Sequence, residues 1–253
     1  MKVSIITVCY NSAATIEDTI KSVRSQTYKD IEYIVVDGGS SDETNHIIKR
    51  YSDFVDVHIS EKDEGLYDAM NKGIKMASGD VIGILNSDDF FCSESSVADL
   101  MSGFSSENID GVYSDLVYVE EKDTSKITRL YSSKVFKKSL IRFGLMLPHP
   151  TFYIKRKAYD KYGLYKTSYR VAADFEFITR CSAGGIALNR VPKITIKMRE
   201  GGISSSGLMW RVHQNAEIVR ACRENGIYTN LAMVALKLPY KILTLLSRKF
   251  VRV

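Results

Sequence analysis

The chain has 253 residues, of which 45% are apolar and 26% are charged. This length suits one sizeable α/β domain, and the ordinary composition excludes disordered, collagen-like and disulfide-scaffold proteins. Lys and Arg number 35 against 30 Asp and Glu, and five of the basic residues lie in the last 17 residues, 237–253, which hold no acid. The remaining chain is therefore neutral, unlike a uniformly basic nucleic-acid binder, and we expect no nucleic-acid partner.

The first half of the chain alternates predicted strands with predicted helices. Apolar β-branched runs predict strands, and apolar residues spaced by three and four predict helices. Such alternation is typical of a parallel sheet with helices on both faces. The predicted elements are a strand at 3–8, a helix around Ile16, Ile20 and Val23, a strand at 31–36, a helix after the turn 37–42, a strand at 55–59, a helix at 67–76 and a strand at 81–85.

The second half has a less regular pattern. We expect one domain at 1–226 and a basic amphipathic helical tail at 227–253, because Lys237, Lys241, Arg248 and Arg252 share one helical face. No apolar run reaches the roughly 18 residues that a membrane-spanning helix needs. The predicted elements are strands at 111–120, 126–131 and 186–198 and helices at 173–181 and 208–224.

Polar residues follow each of the first four predicted strands. Ligands of open α/β sheets bind at the carboxyl ends of strands, so these residues mark a candidate site. Neither a G-x-G-x-x-G motif nor a P-loop lysine follows the first strand, which disfavours nicotinamide enzymes and P-loop NTPases. Residues 86–89, with sequence NSDD, could instead supply oxygen ligands to a divalent cation that neutralises nucleotide phosphates. The alternative is that Asp88 and Asp89 cap a helix starting near Ser93.

Five motifs follow one another along the chain: SIITVCYN at 4–11, VVDGGSSD at 35–42, SEKDEGLYDAMNKG at 60–73, LNSDD at 85–89 and AADFE at 172–176. In this order they resemble the motifs of family 2 glycosyltransferases, and the likeness is closest to bacterial enzymes that build O-antigen and other surface polysaccharides. The resemblance implies an α/β GT-A fold, in which a Rossmann-like, mainly parallel central sheet is flanked by helices. It also implies a nucleotide-sugar half at about 1–120 and an acceptor half at about 121–226.

The resemblance further implies a nucleotide-sugar site built from several loops. Tyr10 would lie against the base, and Asp37 would accept a hydrogen bond from the base edge. The alternative for Asp37 is a turn-forming role before its two glycines. The residues implied to line this site are Thr7, Tyr10, Asn11, Asp37, Asp63, Asp68, Asn71, Asn86 and Ser87.

Asp88 stands at the place of the family's D-x-D motif, and the resemblance implies that it binds Mn²⁺ or Mg²⁺, with Asp89 as a possible helper. Asn86 replaces the first acid of that motif, and an amide cannot neutralise a cation. Met70 stands where many relatives carry an arginine that would reach the diphosphate. Lys62 and Lys72 are the candidate replacements, although Lys72 also fits a solvated helix position.

Asp174 matches the family's catalytic acid position, and the resemblance implies that it is the general base of an inverting transfer. An alternative, compatible role is to cap the predicted helix. Ala173 precedes it where relatives usually have Glu. His149 lies where relatives often place a histidine near the acceptor or a phosphate, and a purely structural histidine is the alternative.

Taken with the resemblance, these residues predict a metal-dependent transfer of a hexose or N-acetylhexosamine. The donor would be a UDP-sugar, and the acceptor would be a saccharide linked to polyprenyl diphosphate. We expect a cytoplasmic enzyme held peripherally on the inner membrane face, where the tail at 237–253 meets anionic lipids. The alternative for the tail is a helix packed on the protein's own core. The alternatives are a non-catalytic module that binds sugar nucleotides or polysaccharide, and a sugar nucleotidyltransferase.

Overall fold

A computed structural model describes residues 1–201 and 207–237. Strands and helices alternate over residues 3–84, the later elements follow no strict alternation, and short 3₁₀ helices lie at Ser133–Val135, Lys138–Phe143 and His149–Thr151. The others are β1 (Val3–Cys9), α1 (Ile16–Arg24), β2 (Ile31–Asp37), α2 (Thr44–Lys49), β3 (Val57–Ser60), α3 (Leu66–Met76), β4 (Val81–Ile84), β5 (Asp89–Phe91), α4 (Ser96–Ser102), β6 (Gly111–Val119), β7 (Ile127–Tyr131), β8 (Tyr153–Lys155), α5 (Arg156–Tyr162), α6 (Ala173–Ala183), β9 (Leu188–Arg199), α7 (Gly207–Glu224) and α8 (Leu231–Ala235).

The strands form one sheet in the order β3-β2-β1-β4-β8-β6-β9-β5, with β7 paired to β6. Strands β1 to β4 are mutually parallel, and β6 runs parallel to β9. The short β8 joins the two groups because it pairs antiparallel with both β4 and β6. The carboxyl ends of β1, β2, β3 and β4 therefore meet at one edge of the sheet, where the predicted site residues follow.

Two apolar cores cover the two faces of this sheet, which explains why most residues of β1 and β2 are apolar. Alternate residues of each strand point to opposite faces, so Ile6 packs in one core and Ile5 in the other. Helix α1 buries Ile16, Ile20 and Val23 on the face that the apolar spacing predicts. None of the helices in residues 1–201 and 207–237 is long and apolar enough to cross a membrane.

The structure differs from the sequence expectations mainly in short elements. Strand β4 ends at Ile84, and Asp89 begins the unpredicted three-residue strand β5. The helix expected near Ser93 begins at Ser96. Strand β8 and helix α5 were not predicted either, because three to seven residues carry too little periodicity. Of the expected tail at 227–253, residues 238–253 lie outside the described residues.

Candidate functional site

The loop after β1 is held by the loop after β2. Asn11 adopts a left-handed backbone with φ of 49°, a conformation that Asn tolerates better than most residues. Its side-chain oxygen accepts a hydrogen bond from the Ser41 N–H at 2.9 Å, and its own N–H donates to Ser40 Oγ at 2.7 Å. Tyr10, one residue earlier, is 64% exposed. Its ring is therefore available to a flat ligand at a rigid loop.

Asp37, at the end of β2, is completely buried and organises its own turn. Its carboxylate accepts hydrogen bonds from the Gly39 and Ser40 N–H groups, from Asn45 Nδ2 at 2.7 Å and from Ser60 Oγ at 2.8 Å. Burial alone would raise the pKa of Asp37, but these hydrogen bonds outweigh burial and hold the pKa below its usual value. These contacts support the turn-forming alternative for Asp37, and its contact with the base edge stays a prediction.

Two other residues that are predicted to contact the sugar nucleotide are also engaged within the protein. Thr7 has no exposed surface, and its hydroxyl accepts a hydrogen bond from the Tyr33 hydroxyl at 3.1 Å, so it belongs to the core. Asn71 is buried and uses both halves of its amide on the backbone of Tyr165, through hydrogen bonds of 2.8 and 3.0 Å. Asn71 thus fixes helix α3 to the second half of the chain, and its contact with the sugar nucleotide stays a prediction.

Asp63 and Asp68 lie in the segment between β3 and the first turn of α3. Asp63 accepts the Gly65 N–H at 2.8 Å, and Asp68 accepts the Glu64 N–H at 3.1 Å. A Cβ at Gly38 would overlap the Asp63 carboxylate, so glycine lets the loop after β2 approach this segment. Both acids are half-buried, and each keeps some surface open to a ligand.

The two candidate cations of this segment differ in their partners. The Lys72 ammonium lies 2.9 Å from Glu61 and 3.5 Å from Asp68, and it also donates to the Lys62 carbonyl at 3.1 Å. The Lys62 side chain is exposed and forms no ion pair within the described part of the chain. Lys62 is therefore the better candidate for contact with a diphosphate.

The backbone of the loop after β4 is fixed by its neighbours. The Thr19 hydroxyl lies 3.0 Å from the Ser87 carbonyl and 2.8 Å from the Asp89 carbonyl. The guanidinium of Arg199, at the end of β9, donates to the Asp88 carbonyl at 2.8 Å. These contacts hold the backbone of the loop in place, and Arg199, which also pairs with Asp18, is a neighbour that sequence reasoning missed.

The side chains of this loop leave several buried oxygens without hydrogen-bond donors. Asp89 is completely buried, and neither carboxylate oxygen has a well-formed hydrogen bond from the described residues, although the Asn86 amide and the Arg199 backbone lie near enough to oppose its pKa shift. Burial, and then the neighbouring Asp88, raise the pKa of Asp89 well above its usual value. Burial also raises the pKa of Asp88, and Asn86 Oδ1 is a further buried oxygen without a partner in residues 1–201 and 207–237.

The side-chain oxygens of Asp88, Asp89 and Asn86 are of the kind that binds a divalent cation. Hard cations take carboxylate and amide oxygens, and a bound cation would favour the ionised form of both acids. No group of three or more His, Cys, Asp and Glu side chains gathers as a metal cluster among the described residues. Mg²⁺ and similar ions are commonly held by one or two carboxylates together with substrate phosphates, so Asp88, Asp89 and Asn86 are sufficient only with a phosphate-bearing ligand.

Asp174 lies in the first turn of α6, where the helix N-terminus stabilises negative charge. Its Oδ1 atom lies 2.8 Å from the Phe175 N–H and 3.3 Å from the Tyr67 hydroxyl. That hydroxyl also contacts the Val171 carbonyl at 2.8 Å. The other oxygen, Oδ2, accepts no hydrogen bond from the residues described, and the side chain is half-buried. Asp174 can therefore accept a proton from a ligand.

Glu217 of α7 fixes the loop that leads into Asp174. Its carboxylate accepts three backbone N–H groups, those of residues 170, 171 and 172, at 2.7, 2.9 and 2.8 Å. Sequence reasoning missed both Glu217 and Tyr67, because their partners are 45 or more residues away along the chain.

His149 is buried, and its Nε2 atom lies 2.8 Å from the Tyr165 hydroxyl. Burial lowers the pKa of His149, and the charge of Asp174 partly opposes that shift. The imidazole is therefore neutral at neutral pH. Its small exposed surface favours the structural role, and contact with an acceptor or a phosphate stays a prediction.

These elements bring most of the predicted residues to one edge of the sheet. The Ser12 and Ser87 hydroxyls, 2.8 Å apart, join the loops after β1 and β4, while Tyr67 joins α3 to Asp174. Tyr10, Asn11, Asp63, Asp68 and residues 86–89 remain candidates for ligand contact.

Comparison with known proteins also indicates a glycosyltransferase. The model of the family described as Glycosyl transferase family 2 matches residues 4–163. An uncharacterized glycosyltransferase of Mycobacterium tuberculosis is 34% identical over 184 residues, which cover 71% of this chain and 68% of that protein. The Escherichia coli UDP-Glc:alpha-D-GlcNAc-diphosphoundecaprenol beta-1,3-glucosyltransferase WfaP is 33% identical over 168 residues, covering 66% of this chain and 64% of WfaP.

Solved structures share the fold at low identity. Staphylococcus aureus TarS 1–349 in complex with UDP-GlcNAc superposes with a TM-score of 0.70 and 17% identity, covering 99% of this chain and 73% of that one. The Pyrobaculum calidifontis mannosyltransferase PcManGT, in complex with GDP-Man and Mn²⁺, gives a TM-score of 0.69 and 18% identity, covering 98% and 73%. The fold is the GT-A fold that the motifs imply.

Proposed function

The chain belongs to glycosyl transferase family 2, and from that premise we propose a metal-dependent, inverting transfer from a UDP-sugar to a lipid-linked saccharide. The observation that carries the proposal is the loop 86–89, whose buried oxygens lack donors at the sheet edge that also presents Tyr10. Support comes from the neighbours that bind UDP-GlcNAc or GDP-Man with Mn²⁺.

The donor would lie along the edge formed by β1 to β4. Tyr10 would stack on the uracil, and Lys62 would reach the diphosphate. Asn86 and Ser87 would contact the ribose side, and Asp88, assisted by Asp89, would hold Mn²⁺ or Mg²⁺. When bound, the metal supplies positive charge that stabilises the leaving diphosphate.

Asp174 would take the proton of the acceptor hydroxyl. That hydroxyl oxygen forms a bond to the anomeric carbon from the face opposite the nucleotide, the bond to the diphosphate oxygen breaks, and UDP leaves. The free Oδ2 of Asp174 suits this role, while Tyr67 and the loop anchored by Glu217 keep the carboxylate in place. A positioned base typically contributes 10²–10⁴-fold.

The acceptor side would be built by residues 121–226, with the donor held by 1–120. We infer a polyprenyl-diphosphate-linked saccharide as acceptor, in the assembly of O-antigen or another surface polysaccharide. The relative WfaP acts on a diphosphoundecaprenol-linked sugar, as its name says. The enzyme would then work at the inner face of the cell membrane, aided by the basic tail at 237–253.

The test is a panel of UDP-glucose, UDP-galactose, UDP-GlcNAc and UDP-GalNAc incubated with Mn²⁺ and a synthetic polyprenyl-diphosphate sugar. We expect release of UDP with one donor, abolished in Asp88→Asn and Asp174→Asn and unaffected in Asp30→Asn, whose side chain is exposed. Release of pyrophosphate from UTP and a sugar phosphate would contradict the proposal. Donor binding without any UDP release would instead identify a binding module.

A further inference from the structure

A stretch of the acceptor half carries positive charge without any acid. No Asp or Glu occurs between Asp123 and Asp160, and the stretch includes Lys134, Lys137 and Arg142. The side chains of these three residues are exposed, and none of them forms an ion pair within residues 1–201 and 207–237. By contrast, Lys138 is held in place, because its ammonium donates to the Ile186 carbonyl at 2.8 Å.

The same stretch lines an apolar groove of about 270 Å³ beside the end of α8. Val135 is 41% exposed and Leu236 is 59% exposed, so apolar surface reaches the solvent at the groove's edge. The groove is lined by Val135, Leu140, Phe143, Leu145, Leu236 and Lys237. We call Lys134, Val135, Lys137, Leu140, Arg142, Phe143 and Leu145 the 134–145 face, which Leu236 and Lys237 border.

We propose that the 134–145 face docks on an anionic lipid bilayer, an inference that rests on the proposed function for its purpose. Apolar side chains surrounded by unpaired Lys and Arg match the interfacial region of a membrane, where apolar groups enter the acyl boundary and cations meet acidic headgroups. This contact is distinct from the tail at 237–253, because it is built by a folded segment of the acceptor half.

Charge also decides against the main alternative occupant, which is the chain's own residues 238–253. These carry Lys241, Arg248, Lys249 and Arg252 and no acid. Folding them over Lys134, Lys137 and Arg142 would place like charges together, whereas an acidic lipid surface attracts both sets. The face and the following segment therefore favour the same partner.

The position of the face links membrane docking to catalysis. Leu145 lies four residues before His149, whose region is predicted to meet the acceptor. The connection is held by the Tyr131 hydroxyl, which donates to the Met146 carbonyl at 2.7 Å. A bilayer against the 134–145 face would thus present a lipid-linked acceptor near the acceptor side of the site.

The test measures co-sedimentation of the full chain with phosphatidylcholine vesicles, with and without phosphatidylglycerol. The variant is Lys134→Glu with Lys137→Glu and Arg142→Glu. The matched control is Lys29→Glu with Lys49→Glu and Lys75→Glu, which changes the net charge equally at exposed residues that form no ion pair in the described structure. Because each cation near an acidic membrane contributes about 1 kcal/mol, we expect roughly 100-fold weaker partitioning for the first variant and less than about 3-fold for the control.

Three outcomes would overturn the proposal. They are unchanged partitioning of the first variant, an equal loss in the control, and a change from dimer to monomer without lipid, which would assign the face to a second copy of the chain. The neutral variant Lys137→Gln with Arg142→Gln, expected to lose roughly 30-fold, keeps the test valid if the charge reversal impairs folding. Release of UDP with a water-soluble acceptor should stay normal in the charge-reversal variant and in the neutral variant. A failure of the membrane-docking proposal is therefore distinguishable from a failure of the proposed transfer.

Discussion

Asp37, at the end of β2, and Asp89, at the start of β5, both carry a buried carboxyl group, but the surroundings of the two groups differ. Asp37 and Asp89 are each completely buried. Asp37 receives hydrogen bonds from two backbone N–H groups and the side chains of Ser40, Asn45 and Ser60, and its pKa lies below the usual value. Asp89 receives no well-formed hydrogen bond from the described residues, and its pKa lies well above the usual value.

The difference separates a carboxylate whose hydrogen-bond partners all come from the protein from one whose oxygens lack such partners. A buried charge is tolerated when donors replace its water, whereas an unpartnered carboxyl stays neutral or awaits a cation. Asp37 already has everything that it needs within the fold. In the proposed function, a bound metal would supply to Asp89, Asp88 and Asn86 the positive charge that the described residues do not place on them.

The largest expected effect tests whether catalysis depends on a third carboxylate outside the loops after β2 and β4. Asp174→Asn should reduce the rate of sugar transfer by roughly 10²–10⁴-fold, because it removes the proton acceptor. The thermal midpoint should barely change, since the half-buried side chain has few partners. Steady-state kinetics measure kcat and the donor KM. An unchanged kcat would mean that Asp174 is not the base and that a carboxylate of one of the two loops has this role.

The next effect concerns the satisfied carboxylate. Asp37→Ala should lower the free energy of unfolding by about 3 kcal/mol, because it leaves the donors of Ser40, Asn45 and Ser60 unpaired in a buried turn. Urea denaturation without metal measures this. Asp30→Ala, at an exposed acid, is the control and should change stability by less than about 0.5 kcal/mol. An Asp37→Ala protein of normal stability would show that the hydrogen bonds around this carboxylate contribute little.

The unsatisfied carboxylate should respond in the reverse way. Asp89→Asn imitates the neutral acid, so stability without metal should be equal or higher, while Mn²⁺ affinity should fall by roughly 10–100-fold. Isothermal titration with Mn²⁺ and UDP measures the affinity. If Asp89→Asn bound Mn²⁺ normally and unfolded more easily than the parent chain, the proposed difference between Asp37 and Asp89 would be wrong.

The strands around this site could be predicted from the sequence, but the different surroundings of Asp37 and Asp89 could not. The parallel strands β1 to β4 were predictable because each is a short apolar run, and the family resemblance located the loops between them. The states of Asp37 and Asp89 depend on donors brought by the fold, such as Ser60, 23 residues from Asp37. Elements as short as β5 and β8 depend on long-range pairing and leave no periodic signal.

The pH dependence of stability should separate the two carboxyls by sign. The lowered pKa of Asp37 contributes stability that is fully present above the usual carboxyl pKa of 3.8 and is lost as the pH falls through the lowered value. The raised pKa of Asp89 contributes stability that is present below 3.8 and is lost as the pH rises through the raised value.

In metal-free buffer, Asp89→Asn should therefore become more stable relative to the parent chain as the pH rises from about 4 to about 8. Asp37→Ala should approach the parent only below that range. Urea denaturation series over the pH range measure both. A stability difference between Asp89→Asn and the parent that stays constant with pH would mean that Asp89 titrates normally.

The smallest effect is expected where the charges are exposed rather than buried. Lys72→Ala removes ion pairs with Glu61 and Asp68 that are partly solvated. The free energy of unfolding and the activation free energy of transfer should therefore each change by less than about 1 kcal/mol. Lys62→Ala should instead raise the donor KM, because its ammonium has no partner in the described residues and is the one available to a diphosphate. Steady-state kinetics with the donor varied would compare them. If Lys72→Ala raised the donor KM more than Lys62→Ala, the cation that replaces the family's arginine would be Lys72, and its ion pairs would have to break when the donor binds.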